Sequence, residues 1–395
     1  MNPNTNPFTP GSGIIPPILA GREQALDAAR LALGRTALTN HVNSQLIVGL
    51  RGVGKSSLLN RIELFSGSVN YNKYIVGRVE LKVGDDLKQV LIPVFRSILL
   101  EMKYRRPDVE RVNGALRVLR SFMGNQIVSA SGQDISLAVE PEFGFADSGD
   151  FTDDLKVMIT AIGTAARESE QPVTLMLDEL HNLGKTDLAA LVRASHKQSQ
   201  IRSPFLVFMA GLPHLLNQIG EAINHGERNI DVHHIGALSR ADAWEAVGGP
   251  IERLGGSIEQ EAMWAMEDFA FGYPYLLQAI AYHTWNYAKG NTITHGDVLA
   301  VRDKTLQYLD NTFYRVLSDR IAPVERQYLI AMASLPAGPQ RSAEVARVMQ
   351  RRLAATGTIR DSLIKKGVIF SPEYGMVSFT TPMFAEFINR QFKDA

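Results

Sequence analysis

Eight consecutive residues, Gly49-Leu50-Arg51-Gly52-Val53-Gly54-Lys55-Ser56, spell a glycine, four free positions and then Gly-Lys-Ser. The apolar run Gln45 to Val48 precedes them and reads as a strand, while Ser56 to Phe65 carries apolar residues at helical spacing. Strand, glycine-rich loop and helix in that order are the setting a phosphate-binding loop needs. Glycine lets the main chain close round phosphate, so that loop N–H groups and the helix N-terminus face the negative charge. In this pattern Lys55 reaches the β- and γ-phosphates and Ser56 holds Mg²⁺. ATP with Mg²⁺ is therefore the expected ligand, and the expected binding residues are Gly49, Arg51, Gly52, Val53, Gly54, Lys55, Ser56 and Ser57. In a chain of this composition the pattern arises by chance about once in a hundred.

A second element supports the first. Val173 to Leu177 is an apolar strand that ends in Asp178 and Glu179. After a phosphate-binding loop such a pair divides the labour: Asp178 is expected on Mg²⁺, and Glu179 is expected to orient or deprotonate the attacking water. His181 reads as a structural residue. Further strands at Tyr74 to Leu81, Phe205 to Ala210 and Val232 to Ile235 alternate with helices at Glu23 to Leu33, Asp86 to Met102, Val109 to Met123, Leu155 to Arg167 and Asp187 to Gln198. Strands separated by helices imply a parallel sheet covered on both faces. Residues 124–152 interrupt the pattern and read as an inserted hairpin or lid-like excursion, with alternation at Ile135 to Val139.

Beyond Ser239 the periodicity is helical to about Arg320, and the Trp and Tyr residues from Trp244 to Tyr287 fall at intervals that suit core packing. The last 75 residues read as helices followed by the strands Val368 to Phe370 and Met376 to Phe379, a winged helix-turn-helix pattern. Between Arg341 and Lys366, seven basic residues (Arg341, Arg347, Arg351, Arg352, Arg360, Lys365, Lys366) face two acids, Glu344 and Asp361, for a local charge of +5. Since 41 basic residues balance 41 acidic ones over the whole chain, any attraction to duplex DNA has to come from this patch. No Cys is present, which excludes disulfides and thiol chemistry and leads to a cytoplasmic expectation. No apolar run approaches a membrane span, and His233-His234 lack carboxylates at metal-ligand spacing, so membrane and zinc roles are not expected.

The combination resembles AAA+ P-loop ATPases of the branch that holds replication initiators and the signalling NTPases called STAND proteins, in the bacterial type with a C-terminal winged helix. That resemblance implies an α/β nucleotide-binding domain over residues 18–238 after a flexible tail at 1–17, a helical lid at 239–320 and a winged-helix domain at 321–395. Gly21 and Arg22, followed by Glu23, look like the entry motif near the adenine. Tyr273 and Pro274, after Gly272, look like the lid motif that touches the nucleotide. Arg228, with Arg202 as its competitor, stands where such ATPases carry an arginine finger for a neighbouring subunit, which implies self-association. The family places a polar γ-phosphate sensor after the strand that here ends in Gly211-Leu212-Pro213, and the departure implies slow hydrolysis. Two roles follow from the resemblance: a Mg²⁺-dependent ATPase switch whose winged helix meets DNA, or a STAND-like scaffold with protein partners.

Overall fold

The computed structural model describes residues 1–68, 73–124, 144–222 and 229–392. By contact the chain forms two units, and neither is continuous. One comprises Glu23–Val48 and Leu58–His234; the other comprises Met1–Arg22, Gly49–Ser57 and Ile235–Ala395. The nine residues of the glycine-rich loop thus group with the C-terminal half of the sequence.

The first unit is built on α1 (Glu23–Ala37), β1 (Ser44–Val48), α2 (Lys55–Ser66), β2 (Ile75–Glu80), α3 (Leu87–Arg105), α4 (Glu110–Met123), α5 (Phe151–Glu168), β3 (Val173–Asp178), α6 (Lys185–Gln200), β4 (Phe205–Gly211), α7 (Leu215–Ala222) and β5 (Ile230–His234). Its five strands are parallel, in the order β2-β3-β4-β1-β5. Every residue of β1, β3 and β4 is buried, as expected for strands covered on both faces. Edge strand β2 instead alternates, and its outward positions admit Arg78 and Glu80. The order sets β4 between β1 and β3, so Val48 and Asp178 end their strands on the same, carboxyl edge of the sheet. Asp86 and Asp150 cap α3 and α5 by accepting from the main-chain N–H groups of Gln89 and Asp153.

Two details depart from the sequence reading here. The last strand begins two residues earlier than Val232, because pairing with β1 runs from Ser44↔Ile230 to Val48↔His234. Asp231 is tolerated within it since its carboxylate accepts from Asn43 Nδ2 and Gln45 Nε2, each at 3.0 Å. Helix α7 is an addition that the short, Gly- and Pro-flanked segment did not announce. Of the insert expected at 124–152, residues 125–143 lie outside the described residues, the alternation at 135–139 among them. The chain re-emerges in a turn where Asp154 Oδ1 accepts from Ser148 N and Oγ before α5.

The second unit contains α8 (Arg240–Arg253), β6 (Ser257–Ile258), α9 (Gln260–Ala270), α10 (Pro274–Tyr287), β7 (Thr292–Ile293), α11 (His295–Leu309), a π-helical turn (Asp310–Tyr314), α12 (Arg315–Ser318), α13 (Pro323–Ala333), β8 (Gln340–Arg341), α14 (Ser342–Val348), α15 (Leu353–Lys365), β9 (Ile369–Phe370), β10 (Met376–Phe379) and α16 (Phe384–Phe392). The last three strands form an antiparallel sheet in the order β8-β10-β9. Ser239 and Thr294 start α8 and α11 with reciprocal capping boxes to Asp242 and Asp297.

The segment expected as a loose tail is packed in this unit. Phe8 is 1% exposed and meets Trp285 edge-on at 6.3 Å. Asn6 Nδ2 donates to the carbonyl of Tyr282, and Trp285 Nε1 donates to that of Asn2. Phenylalanine among Asn and Pro is what anchors it, an apolar residue large enough to offset the ordering of a polar strand of chain. Core packing holds for Trp285 but not for Trp244, Trp264 or Tyr287, which are exposed. In α8 and α9 the buried stripe belongs to Ala243, Val247 and Ile251 and to Met263, Met266 and Ala270.

Candidate nucleotide site

The loop between β1 and α2 owes its shape to its glycines. Gly52 and Gly54 have φ of 77° and 94°, values a side chain strains to reach. A Cβ at Gly49 would lie 2.5 Å from the carbonyl oxygen of Ile235, so only glycine fits that approach. Around a Cβ built on Gly54 there is open space among the described residues. Lys55 is 6% exposed, and its ammonium donates to the carbonyls of Gly49 (3.0 Å) and Leu50 (2.9 Å). The ammonium is thereby held against the loop's own main chain. Ser56 follows it in the first turn of α2, and Ser57 Oγ donates to the carbonyl of Ile14 at 2.7 Å.

Several residues singled out in the sequence come together around this loop. Arg22, 6% exposed, donates to the carbonyls of Val53 and Gly236 as well as to that of Gly21. Gly21 has φ of 67°, and a Cβ there would lie 2.8 Å from the Asp242 carboxylate. Arg22 is thus a brace for the loop's main chain. Gly272 donates no side chain either; at φ 70° its carbonyl accepts from Leu238 N at 2.7 Å, and Pro274 starts α10. Tyr273 lies 3.9 Å from a Cβ built on Gly52, and burial pushes its phenol above the ordinary pKa. Tyr275 N donates to the carbonyl of Gly52, and its ring stacks on Phe313 at 4.5 Å and 24°.

Arg51 reaches in another direction. Its Nε donates to the carbonyl of Gly367 at 3.1 Å, and one terminal nitrogen donates to that of Lys366 at 3.3 Å. Those carbonyls close the C-terminus of α15, where the helix dipole favours a cation. Val53 is buried at the base of the loop.

In the sheet, Asp178 is buried at the end of β3 and forms an ion pair with Arg78 at 3.2 Å. Glu179 follows in the left-handed region, at φ 55° and ψ 36°. Its carboxylate lies 3.1 Å from His181 Nε2. The sequence reading missed Arg78, although a charged residue in the middle of the apolar run from Ile75 to Val79 was a signal for it. It also missed His214, whose ring meets that of His181 edge-on at 5.8 Å. Burial depresses the pKa of His214 below the ordinary imidazole value. No polar residue precedes Pro213, and His214 directly after it is what the chain offers in that turn.

Arg228 lies outside the described residues. Arg202, its competitor, sits in the turn before β4 with φ of 51°, at the amino edge of the sheet, opposite the edge on which Asp178 ends β3. Among the described residues no cluster of three His, Asp or Glu could hold a metal ion by itself, and no helix is long and apolar enough to cross a membrane.

The sheet and loop have the P-loop AAA+ fold. Residues 39–219 match the family described as an AAA domain, and residues 311–388 match a domain of unknown function (DUF8462). The structure is similar to that of a Walker-type ATPase of Pyrococcus abyssi, with a TM-score of 0.59 at 14% identity, covering 94% of this chain and 96% of that one. It is also similar to the ADP form of the ORC2 protein of Aeropyrum pernix, with a TM-score of 0.50 at 14% identity and 96% of each chain covered. No curated protein matches the sequence.

Proposed function

We propose that this chain is an ATP-dependent switch: it binds Mg²⁺-ATP at the loop Gly49–Ser57, hydrolyses it slowly, and uses the nucleotide state to reposition its C-terminal region. The observation that carries this reading is the pair of bonds from Arg51 to the carbonyls of Lys366 and Gly367. They tie the phosphate-binding loop to the segment on which a partner would act. Ser56 and Asp178 would hold Mg²⁺, which would supply positive charge against the charge that develops on the phosphates. Lys55 binds and orients the phosphates, and Glu179 accepts the proton of the attacking water. Arg228 remains the proposed finger between subunits. A polar sensor is missing from Gly211-Leu212-Pro213, which favours long occupancy over fast turnover.

The C-terminal region reads as a winged helix. Its order of α13, β8, α14, α15, β9 and β10, with an antiparallel three-stranded sheet, supports that reading. Its charge is less available than the count of +5 suggests. The count already sets Arg360 against Asp361, which pair at 2.9 Å; the further loss is Lys366, which pairs with buried Glu325, whose carboxyl is held below its usual pKa against the opposing effect of burial. Arg341, Arg347, Arg351, Arg352 and Lys365 are exposed and suit phosphate contacts. The fully exposed Tyr374 sits in the turn between β9 and β10, at the tip of the proposed wing. Duplex DNA is the partner proposed here; a protein partner of a STAND-like scaffold is the alternative.

ATP turnover measured with and without duplex DNA, while particle mass is followed, tests the reading. Turnover that DNA stimulates, and that Arg351→Glu with Arg352→Glu renders insensitive to DNA, supports a DNA-linked switch. Turnover with no DNA binding at low salt leaves the scaffold reading, and absence of ATP binding overturns both.

A further inference from the structure

A histidine three residues beyond a strand-end aspartate is easily taken for core filling, and its surroundings argue otherwise. Glu179 N donates to Asp178 Oδ1 at 2.9 Å, and one turn of 3-10 helix, Leu180–Asn182, follows. That turn is closed by Asn182 N donating to the carbonyl of Glu179 and pinned by Asn182 Nδ2 donating to that of Leu81 at 2.8 Å. The chain is bent back so that His181 Nε2 lies 3.1 Å from Glu179 Oε2.

The two groups differ in exposure. The His181 side chain is 1% exposed, whereas that of Glu179 is 23% exposed. The ring is packed edge-on against His214 and lies beside Gly211, where an added Cβ would be in ordinary contact with it and would collide with Leu215. A Cβ on Gly211 would lie 3.8 Å from His181 Nδ1 and 2.7 Å from Leu215 Cδ2. Glu179 itself holds a left-handed backbone that costs a non-glycine residue on the order of 1 kcal/mol, and such strain gathers at functional positions. A buried imidazole, a partly exposed carboxylate and a left-handed backbone at Glu179 thus lie together in one short turn.

We propose that His181 is the positioning residue for Glu179: it engages one carboxylate oxygen from the protein side and leaves the other directed at the attacking water. This rests on the reading of Glu179 as the group that handles that water. His181 contacts neither nucleotide nor water; it acts through Glu179, in a pocket that Gly211 and His214 shape.

The test compares two variants of the full chain. His181→Leu keeps apolar volume and loses the ring nitrogen, while His181→Gln keeps an amide nitrogen at about the reach of Nε2. His181→Leu is expected to lower kcat on the order of ten- to hundredfold with KM for ATP unchanged, because misaiming a catalytic group by about 1 Å costs that much. His181→Gln is expected to recover a large part of kcat. Wild-type kcat in His181→Leu, or equal loss in both variants with melting temperatures at the wild-type value, overturns the proposal. Glu179→Gln is run beside them. If it turns over at the wild-type rate, the reading of Glu179 itself fails; if it is slow while both His181 variants are fast, only the present inference fails.

Discussion

The main-chain N–H of Tyr275 donates to the carbonyl of Gly52 across 3.2 Å, so the first turn of α10 is bonded to the middle of the phosphate-binding loop. The stacked pair of Tyr275 and Phe313 closes over the same glycine. Phe313 belongs to the π-helical turn between α11 and α12, a rare geometry often found at functional sites. Gly52→Ala would set a methyl 3.4 Å from Phe313 Cζ at a φ of 77°. It is expected to cost roughly 1–2 kcal/mol of stability and to weaken ATP binding, read by thermal melting and by nucleotide titration. An unchanged affinity would show that the bond to Tyr275 does not shape the ATP-binding form of the loop.

Lys55→Ala is expected to abolish ATP binding, since no other ammonium is held over the loop carbonyls of Gly49 and Leu50 among the described residues. Glu179→Gln is expected to bind ATP normally and retain it unhydrolysed. Equilibrium binding and single-turnover hydrolysis separate the two effects. Wild-type turnover in either variant would refute the assigned role.

Phe8→Ala tests the packed N-terminal segment. Removing a buried phenylalanine that meets Trp285 costs about 3–5 kcal/mol, a drop of several degrees or more in Tm. A loose tail would leave Tm where it was.

Acidification should destabilise the chain through its buried and half-buried histidines. Burial depresses the pKa values of His196, His214, His233 and His283, with Lys304 adding to the effect at His283. Each is more readily protonated when unfolded, at about pH 6.5, than when folded. Their stability contribution is therefore full above that pH and is lost as pH falls through the depressed folded values. Asp187 and Glu267, whose carboxyls burial raises, act in the opposite sense and at lower pH. Tm is expected to fall between pH 7.5 and 5.5, and His283→Leu should flatten part of the slope. A Tm that stays level over this interval would contradict the assignment.

The loop and the strand-end acids were legible because phosphate binding needs particular residues at fixed spacing, as with Gly49, Gly54, Lys55 and Ser56. The buried strands were legible because parallel strands covered on both faces leave continuous apolar runs such as Phe205 to Ala210. What escaped was set by tertiary partners. Phe8 looks like one aromatic in a polar tail until Trp285 is beside it. The parallel pair β6 and β7, two residues each, has no periodicity to detect. The nearness of the His181 ring to the Glu179 carboxylate depends on a turn that sequence spacing does not specify. The availability of the basic patch was overestimated for a similar reason, since Glu325, far off in sequence, takes Lys366.

The chain passes between its two units four times, at Arg22, Val48, Ser57 and His234. During synthesis the loop Gly49–Ser57 leaves the ribosome long before Gly236, Tyr275, Lys366 and Gly367, the residues that bond to it or to its brace. Its native surroundings are completed only when nearly the whole polypeptide has been made. A cut at residue 238 keeps both segments of the first unit but divides the second, which no single truncation can release whole. A fragment ending there would carry the nucleotide motif with Ile14, Arg22 and Gly236 but without Tyr275, Lys366 and Gly367, which bond to the loop.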